Sequence, residues 1–278
     1  YDFRRYGKGR TLDQWRRDNL TDIVRYIYKG VKEIKPWVKV STCPVGKYKD
    51  TSRYSSRGWN AFHTVYQDPQ GWMGEGIQDQ IYPMMYFRQN NFYPFVLDWQ
   101  EQCNGRQIIP GSGIYFLHPD EGNWIREDVD RQINFIRKHK LAGEAHYRAK
   151  YLMDNTQGIY DELTENFYAH PALQPAMPWL DNVPPSAPSG LKVISGKDGY
   201  TSLTWQAATD NDKMNAPRYV VYASDVYPVD TTRPENIIAQ GIRGTEYIYA
   251  PLQPWNRKVY FAVTAVDRYG NEGKAVQE

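Results

Sequence analysis

Strand-like and helix-like stretches alternate along residues 11–168, and the series opens on a helix. That alternation constrains the fold more than any other feature. Thr11 and Gln14 have the spacing of a capping box, in which side chains satisfy orphan backbone N–H groups. Leu20, Ile23, Val24, Ile27, Val31 and Ile34 then recur at helical spacing. A helix is therefore predicted over 12–35, ending before Pro36. WVKVST (37–42) is β-branched and predicts a strand. Residues 47–67 show no period; an aperiodic stretch this long in a compact domain is usually functional or disordered, and its aromatic content argues against disorder. DPQGWMGEG (68–76) predicts a short helix with Asp68 as cap and Pro69 in the first position. Strands follow at 77–87, 106–116 and 141–149. Helices follow at 90–103, 124–139 and 158–168.

Strands that alternate with helices imply right-handed crossovers and a parallel sheet. Four such units amount to half of an eight-fold (β/α) barrel. On that reading the opening helix follows a strand that lies outside this sequence. The rival is an open doubly wound sheet, but no Gly-rich phosphate loop follows any strand.

Residues 170–190, HPALQPAMPWLDNVPPSAPSG, are Pro-rich and predict a semi-stiff connection. Beyond 191 the pattern changes to short alternating strands: LKVISG, SLTWQAA, RYVVYAS, EYIYAPL and VYFAVTAVD. Turn signals such as KDGY and RYGN separate them, which predicts an all-β sandwich. Trp205, Tyr219, Val221, Leu252, Tyr260, Ala262 and Val263 are its expected core. The expected fold is thus α/β, a partial (β/α)8 TIM-type barrel over 1–182, followed by an all-β sandwich over 183–278.

The net charge of +2 gives no strong pull toward nucleic acid or an anionic membrane. Cys43 and Cys103 fit neither a disulfide framework nor a zinc site. Chemistry allows one disulfide between them, and two free thiols are the expectation. No HExxH, paired-Cys or twelve-residue calcium-loop pattern is present, so neither a metal nor a cofactor is expected. DNDKMN (210–215) is read as a turn.

The second domain resembles a fibronectin type III module through PPSAPSGLKV, SLTW, RYVVYAS and YFAVTAVDRYGNEG. In secreted bacterial glycan-degrading enzymes such modules serve as spacers. The first domain resembles the C-terminal half of the glycosyl-hydrolase-like family ten proteins, a bacterial group with a predicted (β/α) barrel. The carrying stretches are WRRDN (15–19), IKPWVKVSTCPVG (34–46), IYPMMYF (81–87), GSGIY (111–115) and HPALQPAMPWLD (170–181). The resemblance implies that an acidic DDYF-type motif precedes the WRRDN helix, so the best catalytic carboxylates lie outside this chain. The family tends to carry Gln at the positions of Met84 and Ser112, and Phe-Phe-Ser at those of His146, Tyr147 and Arg148.

Glycoside hydrolysis needs two carboxyl groups flanking the scissile bond. Asp120 and Glu121 follow the third strand and are candidates; their structural alternative is a solvated loop capping the next helix. Glu144 lies within the last strand and, if inward, needs a partner such as His146 or Arg148. Asp79 sits at the far end of its strand and is expected to support structure. Tyr86, Phe87 and Tyr115, at strand ends, are candidates for stacking on sugar rings. His146, Arg148, Lys47, Tyr48 and Trp59 complete the candidate sugar-binding set. Barrel-mouth packing, a satisfied structural histidine and an ordinary solvated loop are the respective structural alternatives. Cys43 has no histidine at a readable spacing, which argues against a thiol nucleophile.

The expected function is a carbohydrate-active protein, part of a glycoside hydrolase acting on an oligosaccharide or polysaccharide. The alternative is a non-catalytic glycan-binding or scaffold protein. The expected location is secreted, periplasmic or cell-surface, with lipid anchoring one route. A half barrel leaves two open sheet edges, and self-association or an upstream barrel half is expected to cover them.

Overall fold

The computed structural model describes residues 2–196, 199–212, 215–251 and 258–278. The expected core residue Leu252, Lys197 and Asp198 of KDGY, and Lys213 and Met214 of DNDKMN lie outside the described residues. The chain forms two compact units, 1–166 and 167–278.

The first unit runs α1 (Asp2–Tyr6), α2 (Leu12–Ile34), β1 (Ser41–Thr42), α3 (Ala61–Thr64), α4 (Pro69–Gly74), β2 (Gln80–Ile81), α5 (Tyr93–Glu101), β3 (Gln107–Ile108), β4 (Gly111–Ser112), α6 (Arg126–Lys138), β5 (Ala145–His146), α7 (Ala149–Met153) and α8 (Ile159–Glu162). α2 starts as its sequence dictates, with Thr11 Oγ1 accepting from the Gln14 N–H at 3.2 Å. Asp68 caps α4 in the same way, and Pro69 takes the first helical position.

The regular strands are only two residues long because proline interrupts the first three at positions 44, 83 and 110. Proline removes a ladder donor but keeps its carbonyl. The ladder indeed continues across all three through their carbonyls. Met84 N–H donates to Pro44 O at 3.0 Å, Gly111 N–H to Pro83 O at 2.8 Å and Ala145 N–H to Pro110 O at 3.0 Å. Residues 40–45, 79–85, 107–112 and 142–147 therefore lie side by side, parallel and in sequence order. A doubly wound sheet would reverse its order partway; this one does not. The ladder is open, with β1 at one edge and β5 at the other, and no closed barrel forms within the described residues.

Ile81, Met85 and Ile108 of the ladder pack against Phe95, Val96 and Trp99 of α5 and Ile136 of α6. Trp99 Nε1–H donates to Gly46 O at 2.6 Å. A Cβ at Gly46 would come within 2.2 Å of Met84 O, so this close approach of the first two strands requires glycine.

Two local expectations give way. Ile114–Leu117 is a 3-10 turn where a strand end was expected. α3 sits inside the aperiodic stretch, capped by Asn60. The last helix runs as predicted, α8 continuing as a π-helical stretch over Leu163–Phe167, and left-handed Asn155, Gln157 and Gly158 precede it.

In the second unit, β6 (Ser189–Ser195), β7 (Thr201–Gln206) and β10 (Glu246–Tyr249) form one antiparallel sheet in the order β10-β7-β6. β8 (Arg218–Ser224), β9 (Ile237–Ile242), β11 (Tyr260–Val266) and β12 (Val276–Gln277) form the other, in the order β12-β11-β8-β9. Leu191, Leu203 and Trp205 from the first meet Tyr219, Val221, Phe261 and Val263 from the second. Ala262 faces away, with Val220, Tyr222 and Ile237, and Leu173 packs on that face. Tyr260 is partly buried there. Met177 is buried and its N–H donates to Tyr269 O at 2.8 Å, while Asn271 Nδ2–H donates to Asp181 O at 2.9 Å. The Pro-rich stretch over 170–181 is thus docked on the β-unit, which is why the unit boundary falls at 166/167 and not near 182.

Candidate functional site at the strand ends

Side chains alternate between the two faces of a strand, and this sorts the candidate residues. Ser112 Oγ donates to Gln132 Oε1 of α6 at 2.9 Å, so it faces the helices. His146 pairs with Ser112 in register and shares that face. Glu144, two residues back, shares it too, with Arg137 of α6 at 4.0 Å. The structure thus turns Glu144 and His146 toward the helical layer, away from the ladder's other face. Burial pushes the His146 imidazole down to about 4.

On the strand ends themselves, three tyrosines converge. Tyr86 and Tyr147 stack with ring centroids 5.2 Å apart and planes 19° from parallel. Tyr115 stands edge-on to both, at 5.8 and 5.7 Å. A Cβ at Gly111 would meet the Tyr86 ring at 3.3 Å, and one at Gly113 would meet Tyr86 Cβ at 3.0 Å. The two glycines of GSG thus make room for the cluster. Burial, reinforced by the neighbouring tyrosines and Cys43, pushes the Tyr86 phenol up to about 12. It is a neutral donor at any physiological pH. Burial also raises the Cys43 thiol, which disfavours the thiolate a nucleophile needs. Both cysteines are free thiols.

Beside this cluster, Glu121 accepts from Tyr151 Oη–H at 2.9 Å and lies 3.6 Å from Arg148 Nη2. Arg148 also donates to Tyr151 Oη at 3.3 Å. Asp120 is almost fully exposed near His118. The structure thus brings together Tyr86, Tyr115, Arg148 and Glu121 and adds Tyr147 and Tyr151, which sequence reasoning missed.

Lys47 and Phe87 form a separate, internal arrangement. Lys47 is 4% exposed. Its ammonium donates to Asn91 Oδ1 at 2.8 Å and lies 4.7 and 4.8 Å from the Phe87 and Phe95 ring centres. Burial lowers its pKa. Tyr48 is buried between Phe62 and Trp99, its hydroxyl donating to Asp68 at 2.6 Å. These three side chains are packed and engaged within the fold. Trp59, 57% exposed on the loop, is accessible. Lys47→Ala is expected to lower unfolding free energy by about 2 kcal/mol, from the lost desolvated cation–π contact and stem packing. Urea unfolding and glycan binding of the variant check this, with binding expected to be unchanged.

Among the described residues no group of three His, Cys, Asp or Glu could hold a metal ion. Among them, no helix is long and apolar enough to cross a membrane.

Residues 3–116 match the family model of Glycosyl hydrolase-like 10. The match takes in WRRDN, IKPWVKVSTCPVG, IYPMMYF and GSGIY; HPALQPAMPWLD lies outside it. The chain is 30% identical to glycosyl hydrolase YngK of Bacillus subtilis over 98% of its own length and 56% of that protein's. It is 29% identical to glycosyl hydrolase DigH of Escherichia coli over 31% of its length and 20% of the relative's. The chain therefore spans about half the length of the first of these relatives and less of the second. Among solved structures, the glycoside hydrolase domain of Endo-D from Streptococcus pneumoniae covers 36% of this chain and 15% of its own, at 16% identity and a TM-score of 0.27. The sixth domain of human fibronectin type III domain containing protein 3 covers 35% and 86%, at 16% identity and a TM-score of 0.25.

Proposed function

We propose that this chain is a carbohydrate-active protein whose first unit is part of the wall of a glycosidase-like (β/α) barrel, with a sugar subsite at the C-terminal strand ends. The observation that carries the reading is the Tyr86–Tyr115–Tyr147 cluster. Barrel active sites are built at that end of the strands, and tyrosine offers a flat apolar face with a polar tip. Arg148 and Glu121, buttressed by Tyr151, supply paired donors and acceptors beside the rings. The match to Glycosyl hydrolase-like 10 and the relatives named glycosyl hydrolase support the carbohydrate class.

The intact protein hydrolyses a glycosidic bond with carboxylates that lie largely outside this chain. Glu121 is the carboxylate held in the cluster, and hydrolysis needs two. The same observation favours a second reading, a glycan-binding protein without turnover. The β-sandwich is a fibronectin type III spacer, and the protein works in a secreted, periplasmic or cell-surface setting.

Binding of the chain to a broad glycan panel tests the site. Tyr86→Ala is expected to weaken binding at least about tenfold, the scale of one aromatic contact. Arg148→Ala, which removes the cation beside Glu121 and leaves its bond from Tyr151, is expected to shift preference among sugars. Binding indifferent to both changes would remove the site from the strand ends.

A further inference from the structure

We infer that Gln132 of α6 is a positioning residue for the strand-end sugar subsite: its one amide holds, from the helix side, both strands that carry the stacked pair Tyr86 and Tyr147. The inference rests on the sugar reading above and adds the residue that sets the geometry of that subsite.

The first support is where the amide lies. Gln132 is 1% exposed and sits one turn after Asp128 on the buried face of α6. Its Nε2–H donates to Phe87 O at 2.9 Å, and its Oε1 accepts from Ser112 Oγ–H at 2.9 Å. A backbone carbonyl can only accept, so the NH2 end of the amide must face Phe87 and the oxygen must face Ser112. Both arms end beside the tyrosines. Phe87 directly follows Tyr86 in the chain. The Ser112 carbonyl accepts from the Tyr147 N–H at 2.9 Å. Gly111 and Gly113, on either side of Ser112, are the positions that make room for the Tyr86 side chain. One buried side chain thus sets the spacing of two strand ends whose tyrosine rings lie 5.2 Å apart on the other face.

The second support is how the backbone behind Tyr86 is held. Past Met84 the second strand turns on itself, with Phe87 N–H donating to Met85 O at 2.8 Å. Side chains of α6 take hold of the chain at this point. Asp128 accepts from Arg88 Nη1–H at 3.0 Å, and Gln132 takes the carbonyl of the residue before it. A binding group has to be kept within about 0.5 Å of its working position by neighbours that are themselves locked. The Gln132 amide meets that requirement, because burial makes an unmade bond at either end costly. It therefore keeps the two strand ends at one distance. An apolar side chain of the same size fills the space and fixes no distance.

Two readouts on the full chain test this: binding to the glycan panel, and fluorine NMR of the chain labelled with 3-fluorotyrosine. The Tyr86 resonance is assigned by its loss in Tyr86→Phe. Gln132→Met keeps the volume and removes both bonds. It is expected to shift the Tyr86 resonance and to weaken glycan binding by about tenfold, the scale of losing the ring itself. A residue that acts through Tyr86 adds nothing once that ring is gone. Tyr86→Ala combined with Gln132→Met is therefore expected to bind as Tyr86→Ala does. Ile136→Val, a buried change one turn further along α6, controls for lost stability and is expected to leave both readouts in place. Ser112→Ala removes one arm alone and is expected to move both readouts in the direction of Gln132→Met, which keeps the test open if that variant does not fold. A Tyr86 resonance that stays in place in Gln132→Met and Ser112→Ala overturns the inference. So does a binding loss that Gln132→Met repeats in full in the Tyr86→Ala background. The resonance is read without sugar, so the two readings fail separately. A parent chain blind to every glycan, with a Tyr86 resonance that moves in Gln132→Met, refutes the sugar reading and leaves Gln132 as the residue that positions the tyrosine pair. A parent that binds through Tyr86, matched by a Gln132→Met chain that binds equally well, refutes the positioning role alone.

Discussion

Replacing Asp79 by alanine is expected to lower the unfolding free energy of the first unit by about 3–5 kcal/mol. Asp79 is wholly buried at the start of the second strand. One carboxylate oxygen accepts from the Val40 N–H at 2.8 Å and pairs with the Lys32 ammonium at 2.7 Å. The other accepts from the Tyr28 hydroxyl at 3.2 Å. One side chain thus fixes the register of the first two strands and anchors α2 over them. Alanine takes the counter-ion from Lys32 and the acceptor from Val40 together, and leaving buried groups unsatisfied costs more than the net value of the bonds. Asp79→Asn keeps the shape and an acceptor for Val40, so about half the loss is expected. Tyr86 lies seven residues further along the chain, at the opposite end of the ladder segment from Asp79. Glycan binding at the strand ends is therefore expected to survive in Asp79→Asn. Urea unfolding of both variants beside the parent chain checks the order. An Asp79→Ala chain as stable as the parent would show that the α2 anchor lies elsewhere.

The order of strands and helices in the first unit was legible because its signals are local. Thr11 and Asp68 announce helix starts, and Val, Ile and Tyr runs announce strands. What was not legible depends on faces. Each proline at 44, 83 and 110 breaks the period-two pattern by which inward and outward residues are told apart. His146 reads as a site residue although it faces the helices, while the neighbouring Tyr147, whose ring joins Tyr86 and Tyr115, gives no local sign of its role. Lys47 reads as a loop cation because nothing local to it reveals that Phe87 and Phe95 enclose it from distant elements. β9 escaped because Gly241, with φ +74°, interrupts IIAQGI. Residues 170–181 read as a connection because their partners, Tyr269 and Asn271, lie about ninety positions away in the chain. α2 shows the converse: Ile23, Ile27 and Ile34 recur at the spacing of an apolar face, and the structure leaves them exposed.

Acidification is expected to destabilise the first unit through His146. Its folded value is pushed down to about 4 by burial, from an ordinary value of 6.5. Between those two limits the unfolded chain binds a proton on this imidazole and the folded chain does not. Stability therefore falls as pH falls through that window and is unaffected by this group above about pH 7.5. The loss amounts to about 2 kcal/mol at pH 5 and approaches about 3 kcal/mol near pH 4, since each tenfold difference in proton affinity is worth about 1.4 kcal/mol. Other carboxylates titrate as well, so the difference between parent and variant is the diagnostic quantity. Glutamine matches the side chain in size and polarity without titrating. Urea unfolding of the parent and His146→Gln at pH 7.5, 6.0 and 5.0 is expected to show curves that converge as pH falls, or cross. Glutamine then relieves a proton penalty that the parent still carries. Curves that stay parallel down to pH 5 would mean that the folded imidazole protonates freely, and that the helix-facing side of β5 admits water. In that event His146 would rejoin the groups open to solvent, and its exclusion from the sugar site would lose its electrostatic basis. Convergence instead leaves the tyrosine cluster, Glu121 and Arg148 as the polar face of the strand ends. Sugar binding between pH 5 and 8 is then independent of His146 wherever the fold holds.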